Sequence, residues 1–153
     1  MLWTNRGKYL ILNWAFRAVA LPANMYVALC TDDIEPTVDM NTLSDLTEIT
    51  AGNGYVEGGY TLTPGATDFD TIAEDDVNDL SNVRLKDIVW TASGGPIPDS
   101  SGERARYAVL LSHHATPADR EIIAVWDLVT SRMITDGNTL TLANCELKAV
   151  EPA

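Results

Sequence analysis

The densest set of oxygen ligands in the chain lies between residues 68 and 79, where Asp68, Asp70, Glu74, Asp75, Asp76 and Asp79 crowd one short segment. Carboxylates at that density suit a hard cation such as Ca²⁺, with Asp68, Asp70, Asp75 and Asp76 as the candidate ligands. The EF-hand spacing fails, because Ile72 and Ala73 stand where a ligand and the sharp-turn glycine belong. The pattern favours the plainer reading, a solvated charged loop, and the same carboxylates suit a basic partner surface.

Other constellations fail on named residues. His113 and His114, the only histidines, are adjacent, so in extended chain their rings point to opposite faces and make a poor pair of metal ligands. Ser93 sits in Thr-Ala-Ser-Gly-Gly, without the leading glycine of a nucleophile elbow. Gly52, Gly54, Gly58 and Gly59 have some look of a dinucleotide fingerprint, but Glu57 occupies the third-glycine position and would face a pyrophosphate. Turns explain these glycines better. Trp90 and Trp126 lie among apolar strand residues, where packing in the core is the commoner role; a sugar platform needs coplanar exposed rings. No catalytic residue and no cofactor is assigned, and an enzyme is the least favoured class.

The elements that position these residues read as one helix followed by strands. Thr4 to about Val19 has helical periodicity, with Thr4 or Asn5 as cap and Pro22 beyond its end. Arg6, Asn13 and Arg17 form a narrow polar stripe, and the rest of the helix is a broad apolar arc, wider than one contact face requires. Strand periodicity follows in Met25–Thr31, Tyr60–Thr63, Val83–Trp90, Arg106–Ser112, Glu121–Leu128 and Thr139–Val150. Leu43 to Ile49 reads as a short helical turn, and Asn53-Gly54 and Asp136-Gly137 as hairpin turns. The expectation is a single domain over residues 1–153, mostly β, comprising a helical arm (1–21) and a β domain (22–153). Its short antiparallel strands would form a β-sandwich or partly closed barrel.

Charge separates the same two regions. No acid precedes Asp32, whereas Arg6, Lys8 and Arg17 do, so a positive arm is joined to a body that makes the whole chain −12. That field repels phosphate backbones, which excludes nucleic acid as a partner of the whole domain. No apolar run approaches the ~20 residues of a membrane span, so no membrane partner is expected. The N-terminus imitates a signal peptide, but Asn13 and Arg17 interrupt the apolar stretch and argue against cleavage. Cys30 and Cys145 are too few for a disulfide framework and read as buried free thiols. Trp3, Tyr9, Trp14 and Phe16 are the expected apolar anchors of an interface on the arm, with Arg6 and Arg17 along its polar edge.

Four motifs, Met25-Tyr-Val-Ala-Leu-Cys-Thr, Gly52-Asn-Gly-Tyr-x-x-Gly-Gly-Tyr, Asp87-Ile-Val-Trp-Thr-Ala-Ser and Ala105-Arg-Tyr-Ala-Val-Leu, follow one another in the chain. In this order, from about residue 21 to 148, the chain resembles a group of small virion structural proteins of tailed bacteriophages. The resemblance implies a β-rich subunit, foremost a capsid decoration (cement) protein, or else a tail, neck or fibre subunit; a glycan-binding module on the virion is the rival class. It implies the major capsid protein or other virion proteins as partners, with self-association. It also implies residence in the virion, assembled in the bacterial cytoplasm. The N-terminal helix lies outside the motifs that carry it.

Overall fold

The structure, a computed structural model, describes residues 1–150. Along the chain come β1 (Leu2–Trp3), α1 (Asn5–Phe16), β2 (Met25–Cys30), β3 (Tyr60–Leu62), β4 (Thr71–Asp75), β5 (Leu80–Arg84), β6 (Ile88–Thr91), β7 (Ala105–Leu111), β8 (Ile122–Arg132), β9 (Thr139–Leu142) and β10 (Glu146–Val150). Strand outweighs helix, 39% against 12%, and the antiparallel sheets stay open. The fold is therefore mostly β and sandwich-like, with its one α-helix near the N-terminus as expected, and it does not close into a barrel.

The centre is a five-stranded sheet in the order β1-β8-β7-β2-β3. Its strand β2 is buried at every position because both faces are covered. Met25, Val27 and Leu29 point into the larger core with Leu85, Ile88, Trp90, Trp126 and Leu142. Tyr26, Ala28 and Cys30, on the alternate positions, meet Leu43, Leu46, Val109, Leu111 and Ile122 beneath the segment that contains a 3₁₀ turn at Leu43–Asp45. The expected core roles of Trp90 and Trp126 hold, and Cys30 and Cys145 are buried and unpaired. Burial pushes both thiols up, Cys145 to about 11.

Two expected strands are each divided. Residues 80–91 and 139–150 run antiparallel as one ribbon, in which β5 pairs β10 and β6 pairs β9. Arg84 faces Glu146 and Ile88 faces Leu142, so the register is unchanged across the break. There Asn144 takes a positive φ of 56° and Leu85 N–H donates to the Cys145 carbonyl (2.9 Å). Trp90 and Leu142 at one end of the ribbon, and Leu147 with Val83 in its other half, pack into the larger core; β4 joins that second half as a third strand, with an exposed tip.

The segment expected to be an acidic loop is this β4–β5 hairpin. At its tip the Asp75 carboxylate accepts from the Val77 and Asn78 amides (both 3.1 Å), and Asp79 has φ 49°. The Asn53-Gly54 turn is present, closed by a bridge between Gly52 and Tyr55. Asp136-Gly137 is a turn but not a hairpin: Gly137 N–H donates to Ala92, and β9 pairs β6 rather than β8.

Candidate interaction surface

The seat of α1 is built from Thr4 and Gly7. Thr4 is fully buried and caps the helix, its Oγ1 accepting from Gly7 N–H (2.8 Å) and donating to the Ile122 carbonyl (2.5 Å). Its own N–H donates to the Ile123 carbonyl (3.2 Å). A Cβ at position 7 would fall on the Ile123 backbone, so glycine alone lets the helix approach β8 this closely. Asn5 N–H donates to Val38 (2.7 Å), and Arg6 pairs with Glu121. Leu10 is buried, with Trp3 and Trp14 packed against the same core.

The inward stripe of the helix is thus Gly7, Leu10 and Trp14, spaced as successive turns on one face, and Trp3 of β1 packs against the same core. The helix is shorter than expected: it ends at Phe16, and Ala18 takes a positive φ of 53° before the chain enters β2. Beyond the stripe, Leu12 is 57% and Phe16 78% exposed, and Tyr9, Val19 and Leu21 are exposed as well. These residues leave apolar surface uncovered beside a clamped helix.

The six residues expected at an interface therefore separate. Trp3 and Trp14 are committed to the protein's own core. Arg6 is tied to Glu121, its guanidinium 4.9 Å from the centre of the Tyr9 ring. Tyr9, Phe16 and Arg17 face outward. Leu12, Val19 and Leu21 belong with them and were not singled out from the sequence. Gly7 was the available signal, since a glycine within a strong helical pattern marks a close backbone approach and so fixes which face is inward.

The carboxylates considered as cation ligands do not converge on one site. Asp68 is buried, its carboxylate held by Lys86 Nζ (2.6 Å) and Thr63 N–H (2.7 Å), and these contacts lower its pKa. Asp70 is paired with Arg84 (3.0 Å), which holds it low too. Asp75 organises the hairpin tip, and Asp76 is exposed beside it. Among the described residues no group of three His, Cys, Asp or Glu side chains is arranged to hold a metal.

A second polar constellation, unseen in the sequence, lies beside the short strand β3. That strand covers β2 only from Met25 to Val27. Beyond it the Tyr55 hydroxyl accepts from Leu29 N–H (3.0 Å) and donates to Glu48 Oε1 (2.6 Å), which also accepts from Gly58 N–H (2.6 Å). Burial raises the pKa of Glu48 despite these donors, and burial beside Glu48 raises that of Tyr55. Arg120, itself buried, donates to the Gly58 carbonyl (2.6 Å) and lies 3.3 Å from the centre of the Tyr26 ring. The Tyr26 hydroxyl and His113 Nδ1 share a hydrogen bond (3.2 Å). These groups complete the sheet edge and lock the 48–58 loop.

The chain matches no family model, no curated protein and no solved structure. On α1, Lys8 and Arg17 are exposed, and among the described residues neither makes an ion pair. The same holds for Glu74, Asp76 and Asp79 on the β4–β5 hairpin, whose Ile72 and Val77 are 82% and 90% exposed.

Proposed function

We propose that the chain is a structural subunit of a tailed-bacteriophage virion, a decoration (cement) protein on the outer capsid surface, with the outer face of α1 as its main contact with neighbouring virion subunits. The observation that carries this reading is the division of α1 into a clamped inner face and an exposed apolar outer face. Such a helix is pre-organised for contact, so little ordering entropy opposes binding. The resemblance of the four strand-and-turn motifs supplies the virion context. A net charge of −12 fits a subunit displayed in many copies, because it keeps repetitive particles soluble. The glycan-binding alternative loses its tryptophans, since Trp90 and Trp126 are buried and Trp3 and Trp14 pack against the core.

The test is stoichiometry and its dependence on the helix face. In purified particles of the encoding phage, the chain is expected in a copy number comparable with that of the major capsid protein. Phe16→Ser together with Leu12→Ser is expected to leave the fold intact and to abolish recovery with the particles. A copy number of a few per particle would favour a tail, neck or fibre position. Absence from particles would overturn the virion reading altogether.

A further inference from the structure

We infer that the outer face of α1 is covered by a second copy of this chain, through the acidic β4–β5 hairpin of that copy. The inference rests on reading the helix face as an interface and names what covers it. Two exposed apolar features lack cover in the single chain: Leu12 and Phe16 on the helix, Ile72 and Val77 on the hairpin. Each is edged by free charge of one sign, Lys8 and Arg17 on the helix, Glu74, Asp76 and Asp79 on the hairpin.

Sign selects the pairing. Helix against helix would bring cations together, and hairpin against hairpin would bring carboxylates together along the open β4 edge. Charged residues of one sign are a common guard against such edge-to-edge pairing. Only helix against hairpin joins opposite charges while covering apolar surface on both sides. The overall −12 does not prevent it, because at physiological ionic strength charges separated by more than about 8 Å are largely screened and the local patches decide.

Position makes the pairing reciprocal. Lys8, Leu2 and Trp3 line one wall of an open cleft of ≈ 570 Å³, and Ala149 and Val150 line the other. Val150 is the register partner of Leu80, where β5 leaves the hairpin tip. The start of the helix and the end of β10 beside β5 thus share one cleft, and the arrangement inferred is a two-fold axis that sets each helix against the partner's hairpin. An isologous interface needs that kind of self-complementary face.

Charge reversal in the full chain tests this by sedimentation equilibrium. The wild type is expected to be a dimer at micromolar concentration. Lys8→Glu with Arg17→Glu, and separately Asp76→Lys with Asp79→Lys, should each weaken self-association about tenfold or more. An equimolar mixture of the two charge-reversed chains should regain wild-type association, because each helix then meets a hairpin of opposite sign. Phe16→Ser, with unchanged circular dichroism, should also weaken it. A wild type that stays monomeric at millimolar concentration overturns the inference, as does a mixture that associates no better than its components. A monomeric chain that still decorates particles through Phe16 would retain the virion function and place another virion protein on the helix. A charge-paired dimer absent from particles would do the reverse.

Discussion

Replacing Tyr55 by phenylalanine removes one oxygen from the edge of the central sheet and leaves the ring in place. That oxygen accepts from Leu29 N–H at 3.0 Å and donates to Glu48 Oε1 at 2.6 Å. Leaving a buried amide without a partner costs about 1–3 kcal/mol. Losing a hydrogen bond to a charged group costs about 1.5–3 kcal/mol, but Glu48 keeps the Gly58 amide, so part of this second loss is recovered. We expect a net loss of about 3 kcal/mol, a large fraction of the roughly 5–15 kcal/mol that stabilises a typical domain. For a chain of this size that is a fall in Tm of about 6–12 °C. Urea denaturation followed by tryptophan fluorescence reads the loss as a lower midpoint with an unchanged slope, Trp90 and Trp126 being buried reporters. Glu48→Gln separates the two contributions, since a glutamine carbonyl still accepts from Tyr55 and Gly58 while no charge is buried. Tyr55→Phe should therefore cost less in that background, with a coupling of about 0.5–3 kcal/mol. A loss below about 1 kcal/mol with an unchanged slope would refute the reasoning, because it would mean that the Leu29 amide has another partner.

Glu48, whose pKa is raised by the fold from 4.5, is expected to make stability fall as pH rises from its unfolded value through its folded one; Glu48→Gln should remove that decline in a pH series of urea midpoints. Asp68 works in the opposite sense, its lowered pKa adding stability that is present above 3.8 and lost as pH falls through the folded value, so Asp68→Asn should flatten the acid side of the same series. Gly7→Ala gains about 1 kcal/mol of helix propensity but forces a methyl onto the Ile123 backbone, and we expect a net loss of about 1–3 kcal/mol in thermal unfolding. Cys30 and Cys145 should resist a thiol reagent in the native protein and both react after denaturation without reductant.

What the sequence disclosed follows from which interactions leave a local pattern. Strand β2 was legible because every position is buried and its residues are β-formers, and the Asn53-Gly54 turn because its backbone conformation needs those residue types. Strand β4 and the start of β5 were not, because β4 is largely exposed and no alternation of apolar and polar residues remains there to be read. Helix α1 was legible as a helix but not in its orientation: with apolar residues almost all round, only Gly7 and the cap at Thr4 mark the inward face. The network of Glu48, Tyr55 and Arg120 was invisible, since Arg120 is distant in the chain and no periodicity links Glu48 to Tyr55 seven residues on.

That network and the helix seat do related work at different places. Strand β3 stops short of the end of β2; beyond it the Tyr55 hydroxyl takes the Leu29 N–H, the backbone of residues 47–49 pairs with Leu29 and Thr31, and the Glu48 carboxylate holds Tyr55 and Gly58 in place. The loop they hold carries Gly58, where a side chain would collide with Arg120, and Gly59, where one would collide with the Val27 backbone. Both glycines have positive φ, so the loop reaches the sheet only in this conformation. At the other edge of the sheet, Thr4 and Gly7 hold α1 by the same combination of a satisfied backbone group and a missing Cβ. The consequence for binding is that Phe16 and Leu12 are presented by a helix whose position is already fixed. Removing the first nineteen residues would not isolate that surface, because Trp3, Leu10 and Trp14 would leave the core with it. The interface can be probed only by substitutions on the outer face, where a loss of binding is not also a loss of fold.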